Sequence, residues 1–195
     1  MNNKQAIVIA GVLAVVGTAH AAEYTFRPEP RDLNDLDHYY NYTWGIGWSP
    51  QNGEVITEAT LSFKNIYDWQ VEDDHLYIHL LDSADLGVVE HFDDQGDGDA
   101  FVGQGVLIDD WNDPNGGNDT GFDLVYKFTD KNLIGTLTQY AQDGNFGFGI
   151  DPDCHYFNEG VKFVIQTEVV PEPMTIAGLG VAGAALLSRR LRKTR

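Results

Sequence analysis

At 195 residues, with 30 acidic side chains against 12 Lys and Arg, the chain carries a formal charge of −18. A surface that negative repels phosphate backbones and excludes nucleic acid as a partner, while divalent cations become its natural partners unless the charge serves only to keep the protein dispersed. Half of the cations stand in the end segments, leaving Arg27, Arg31, Lys64, Lys127, Lys131 and Lys162 between residues 22 and 170, and the single cysteine, Cys154, excludes an intramolecular disulfide.

The first element is an apolar run from Ala6 to Gly17, preceded by Lys4 and followed by Ala19-His20-Ala21. This is the layout of a secretory signal helix over residues 1–21, cleaved before Ala22. A buried N-terminal helix would show a polar face in each turn, and this run has none. Residues 22–170 are then long enough for one extracytoplasmic domain with a single core.

Within that domain the segment from Arg27 to His38, with Pro28 and Pro30, reads as an irregular arm. Strands are expected at Tyr24 to Arg27, Tyr42 to Trp48, Val55 to Tyr67, His75 to Leu81, Gly87 to Phe92, Phe101 to Ile108, Phe122 to Phe128, Phe146 to Ile150 and Val161 to Val169. Several alternate cleanly: Leu76, Ile78 and Leu80 oppose Tyr77 and His79, which gives one face suited to a core. Between Asp130 and Gly144 the spacing of Leu133, Leu137 and Tyr140 is helical, with Asp130 placed as N-cap and Gly144 as the stop. Many short strands with one short helix predict a mostly β fold, a two-sheet sandwich of jelly-roll type. A barrel is the alternative.

Three acidic stretches carry the candidate chemistry. Asp93-Asp94-Gln95-Gly96-Asp97-Gly98-Asp99 places oxygen ligands at alternate positions around a glycine turn, as in half of a calcium loop. The EF-hand pattern fails, because the twelfth position is Gln104 and no helix brackets the loop. Asp93, Asp97 and Asp99 therefore either hold calcium in a sandwich loop or form a plain acidic turn. In the second stretch Asp151, Asp153 and Asn158 are placed to converge on a cation, Pro152 fixing the turn, or else the Asp side chains bond their own backbone. The third, with Asp109, Asp110, Asp113 and Asp119, reads as a solvated loop. Cys154 beside His155 is no nucleophile–base dyad by itself, since neighbours on an extended chain point to opposite faces. Trp44, Trp48, Trp69 and Trp111, with nine tyrosines, either furnish a sugar-stacking platform or fill the core.

The last element starts at Pro171-Glu172-Pro173, which ends the preceding strand; an apolar run to Leu187 follows, and Arg189, Arg190, Arg192, Lys193 and Arg195 close the chain. A helix of about 14 residues rises about 21 Å, short of the roughly 30 Å hydrocarbon core, so it is a marginal membrane anchor. The closing cations hold that end in the cytoplasm and leave the domain outside.

Tripeptide, apolar run and basic end, in that order over residues 171–195, resemble the PEP-CTERM sorting signal. The resemblance implies an exosortase as partner, a membrane-embedded cysteine protease that cuts near the motif. It implies an inner-membrane-anchored precursor that passes to the cell envelope, the extracellular matrix or exopolysaccharide. For the domain itself no G-x-S-x-G or H-E-x-x-H motif is present. The expectation is a non-catalytic, calcium-tolerant structural or adhesive protein at the cell surface or in a biofilm matrix. A secreted hydrolase, or a carbohydrate-binding module for extracellular polysaccharide, is the alternative.

Overall fold

The computed structural model describes residues 21–51, 53–71, 74–94, 98–114, 116–117 and 120–170. The expected signal helix, the sorting tail with Pro171, Glu172, Pro173, Arg189, Arg190 and Arg192, Asp97 and Asp119 lie outside the described residues. Among the described residues, no helix is long and apolar enough to cross a membrane.

Among the described residues the strands are β1 (Ala21–Phe26), β2 (Tyr40–Ile46), β3 (Glu54–Asp68), β4 (Leu76–Leu81), β5 (Gly87–Phe92), β6 (Val106–Trp111), β7 (Phe122–Lys127), β8 (Phe146–Pro152), β9 (Tyr156–Phe157) and β10 (Gly160–Val169), with one α-helix, α1 (Ile134–Tyr140). They form two five-stranded sheets. The first runs β1-β10-β3-β7 with β9 on the far end of β3, and the second runs β5-β2-β8-β4-β6. All pairings between these strands are antiparallel.

Alternation decides which face each strand buries. In β3, Ala59, Leu61 and Phe63 turn inward; in β10, Val161, Phe163 and Ile165 do the same. The inner faces meet through aromatic rings: Phe163 of β10 lies 4.9 Å from Phe148 and 6.0 Å from Phe146 of β8. Phe128, just after β7, lies 5.4 Å from Phe163. Each fully buried Phe contributes about 1.5–3 kcal/mol of transfer free energy, so this cluster alone is a large part of what joins the sheets. The 27–38 arm closes the sandwich by inserting Leu33 and Leu36, both 0% exposed.

Two expectations are corrected. Asp130 is not an N-cap: α1 starts after Leu133, because Asn132 adopts φ 58 and interrupts the preceding turn. Leu133 and Leu137 still bury the expected face, and Gly144, at φ 90, stops the short 3₁₀ turn that extends the helix. Residues Phe101 to Gly105 are not strand, since Gly103 and Gly105 take φ 79 and φ 60. A Cβ on Gly105 would meet the Leu80 carbonyl oxygen at 2.0 Å. The chain can therefore pass that close to β4 only as glycine, and pairing resumes at Val106.

Candidate metal centre

β8 is the middle strand of the second sheet, and all seven of its residues are buried. Phe146, Phe148 and Ile150 face the core, which sends Gly147, Gly149 and Asp151 to the opposite face. That face is covered by the chain that follows β5. Phe101 seats its ring over Gly149, where an added Cβ would come within 2.8 Å of the ring, and the adjacent Ala100 N–H donates to Asp151 Oδ2 at 2.7 Å. Asp99 fixes the turn by accepting from the Phe101 N–H at 2.9 Å with Oδ1, and it pairs with His79 Nε2 at 2.8 Å through Oδ2. His79 is 4% exposed, and its Nδ1 lies 3.2 Å from the Gln104 carbonyl, so both ring nitrogens face oxygen acceptors.

Two acidic stretches that the sequence keeps apart thereby meet. Asp151, 1% exposed, is pushed up to about 7, first by burial and then by the charges of Asp93, Asp153 and Asp99; the Ala100 hydrogen bond opposes the shift. Asp93 stands just past β5, where Asn41 Nδ2 donates to its Oδ2 at 3.5 Å while its Oδ1 is buried with no hydrogen-bond partner among the described residues. Tyr77, opposite Asp151 in the ladder, is raised by burial and then by Asp153, Asp110, Asp99 and Asp151. The Asp99–Phe101 turn thus packs against Asp151, with both Asp99 oxygens engaged, one by the Phe101 N–H and one by His79.

Asn158 does not join them. Its Nδ2 donates to the Asp32 carbonyl at 2.8 Å and its Oδ1 accepts from the Gly160 N–H at 2.9 Å, so it ties the arm to the turn before β10. The third acidic stretch is not simply a solvated loop. Asp109 pairs with Lys131 at 3.1 Å, Asp110 with His75 at 2.6 Å, and Asp113 Oδ2 accepts from the Asp68 N–H at 3.1 Å.

Cys154 is 1% exposed, and its thiol is pushed up to about 12 by burial and by the neighbouring Asp74 and Asp68 carboxylates. An activated nucleophile needs the reverse, an electropositive and accessible setting. The His155 ring packs against Phe157 and Trp69, at 4.8 and 6.3 Å. Asp68 and Asp74 escape sequence reasoning because neither sits in a patterned loop. Only the fold carries them to Cys154.

The tryptophans make no common platform: Trp44 is core at 3% exposure, Trp48 and Trp111 pack against the core, and Trp69 is 55% exposed. The outer face of the first sheet instead carries a groove of about 700 Å³, lined by Arg27, Arg31, Lys64 and Lys162 together with Thr60 and Ser62. Glu23, Asp123 and Glu159 border it, and Lys64 is paired with Glu159. Four of the six cations of residues 22–170 thus share one surface.

No protein-family model and no curated protein matches the chain.

Proposed function

We propose that the protein is exported, processed by an exosortase at its C-terminal tail, and serves outside the cytoplasmic membrane as a non-catalytic, calcium-stabilised envelope or exopolysaccharide-associated protein. The observation that carries this reading of the domain is the packing of the Asp99–Phe101 turn over β8, where the buried Asp151 accepts from the Ala100 N–H and is raised by burial and then by Asp93, Asp153 and Asp99. Calcium is the ion proposed for these hard oxygens, with Asp93, Asp99, Asp151 and Asp153 as the candidate ligands that would close on it and the Phe101 loop as the clamp that holds the two segments together. Removing a proton from Asp151 and gathering three further carboxylates around it is costly without a cation, and a bound divalent ion offsets that cost.

A jelly-roll winding is supported by the strand order. Setting aside β5 and β9, first pairs with last (β1 and β10), second with second-last (β2 and β8), then β3 with β7 and β4 with β6. That is one long hairpin rolled into two sheets. Such a scaffold leaves the groove of Arg27, Arg31 and Lys162 open on one face as the surface for an anionic polysaccharide.

Sorting is tested on wild type and on a variant with Pro171, Glu172 and Pro173 replaced by alanine, with mass spectrometry of the envelope fraction. Wild type is expected to end near residue 171 and the variant to keep Arg195, both lacking the signal. A wild-type envelope protein that retains Arg195 would contradict the sorting reading.

A further inference from the structure

A second centre, of different chemistry, lies where β3 ends. Asp68 closes β3 and stands opposite Tyr156 in the short ladder with β9, so the two side chains share a face. Cys154 belongs to the connection between β8 and β9, and Asp74 to the approach to β4. Asp68, Asp74 and Cys154 bring one carboxylate oxygen each and the sulfur within 4.8 Å of one another. Asp68 and Cys154 are each 1% exposed.

The hydrogen bonding of this place is incomplete. Asp68 Oδ1 accepts from the Gln70 N–H. Asp68 Oδ2, Asp74 Oδ2 and the hydroxyl of Tyr156, a residue 0% exposed, are buried with no oxygen or nitrogen hydrogen-bond partner among the described residues, the Cys154 thiol alone bonding toward Asp68 and Asp74. Burial first, and then the nearby Asp68, Cys154 and Asp74, raise the Tyr156 hydroxyl. Among the described residues neither Asp68 nor Asp74 forms an ion pair with Lys, Arg or His. Unsatisfied buried oxygens are costly, and here two carboxylates stand beside a thiol within 4.8 Å.

We propose that Asp68, Asp74 and Cys154 bind a divalent ion of the zinc class, with the neighbouring Tyr156 hydroxyl as the candidate fourth ligand. The thiol selects the metal. Calcium takes six to eight hard oxygens and has no use for sulfur, whereas zinc accepts a mixed sulfur and carboxylate set in four-coordinate geometry. On binding, a metal–sulfur bond forms and the S–H bond breaks, its proton leaving to solvent. The ion pins the end of β3, the approach to β4 and the connection between β8 and β9. This is a cross-link that a chain with one cysteine cannot make as a disulfide. The proposal is independent of calcium at Asp151.

The test uses the full chain, freed of metal by chelation and titrated with cobalt(II) as the zinc probe. The expected result is a near-ultraviolet thiolate-to-cobalt charge-transfer band that saturates at one ion per chain, disappears on adding zinc and is unaffected by calcium. Cys154→Ser abolishes the band, and Asp74→Asn, at a partly exposed position, weakens cobalt binding at least tenfold. Folded wild type without the band, a band that persists in Cys154→Ser, or displacement of cobalt by calcium overturns the proposal. Should Cys154→Ser fail to fold, Asp74→Asn decides, and unchanged affinity there overturns it as well.

Discussion

A carboxyl whose folded value is about 7, against an ordinary 3.8, makes Asp151 the residue on which stability turns. Between those values the folded chain holds a proton that the unfolded chain has released, so the folded state of the metal-free protein is favoured at low pH. That contribution is complete below the unfolded range and is lost as pH rises through about 7. Asp68, pushed up to about 6 chiefly by burial, acts with the same sign. Urea melts in chelator at pH 5, 6, 7 and 8 are therefore expected to show falling stability as pH rises. Asp151→Asn keeps an acceptor for the Ala100 N–H and removes the charge. It is expected to flatten the pH dependence and to stabilise the metal-free protein at pH 8 by about 1–3 kcal/mol. Metal-free stability that rises toward pH 8 would contradict this account of Asp151.

The element that assembles the site is the segment between β5 and β6. Its anchor is the Phe101 ring, 4% exposed and laid over Gly149. Phe101→Ala removes that anchor at a cost of about 3–5 kcal/mol, and Gly149→Ala forces the ring away. Both variants are expected to lose most of any calcium-induced gain in melting temperature, because Asp99 and Ala100 travel with the ring. A gain equal to that of wild type in Phe101→Ala would show that the loop plays no part in the site.

The same segment explains what could be seen beforehand. A strand such as Val161 to Val169 is legible because it buries one face and so alternates by two. The apolar spacing does not mark the true start of α1, because the left-handed turn at Asn132 leaves that spacing unchanged. Phe101 and Val102 have the composition of a strand, and only the two glycines with positive φ, Gly103 and Gly105, mark the chain as a cover over β8. Asp93, Asp99, Asp151 and Asp153 were identifiable singly from acidic spacing. Their meeting was not, because it depends on the central position of β8 in its sheet. Asp68 and Asp74 left no local pattern at all. The centre around Cys154 arises from a two-residue pairing of β3 with β9 that no periodicity announces.

At the scale of the whole molecule, charge is distributed by face. The outer face of the second sheet carries the buried Asp151, whereas the groove across the outer face of the first collects Arg27, Arg31, Lys64 and Lys162. If an anionic exopolysaccharide binds there, Arg27→Glu with Lys162→Glu is expected to reduce co-sedimentation at least tenfold while thermal stability stays within a few degrees, as exposed charges contribute little to folding. Binding that survives the double substitution would place the polysaccharide elsewhere.

The most direct test of the central claim is the melting temperature of the full chain in millimolar calcium, set against magnesium and against sodium chloride at matched ionic strength. An ion that binds only the folded state raises the melting temperature by mass action, and magnesium, which demands a compact octahedral shell and gives up water reluctantly, does so less. The account predicts a rise with calcium that clearly exceeds the other two and is lost in Asp151→Asn. Equal rises in calcium, magnesium and sodium chloride would reduce the acidic convergence to screened repulsion and contradict a calcium-stabilised fold.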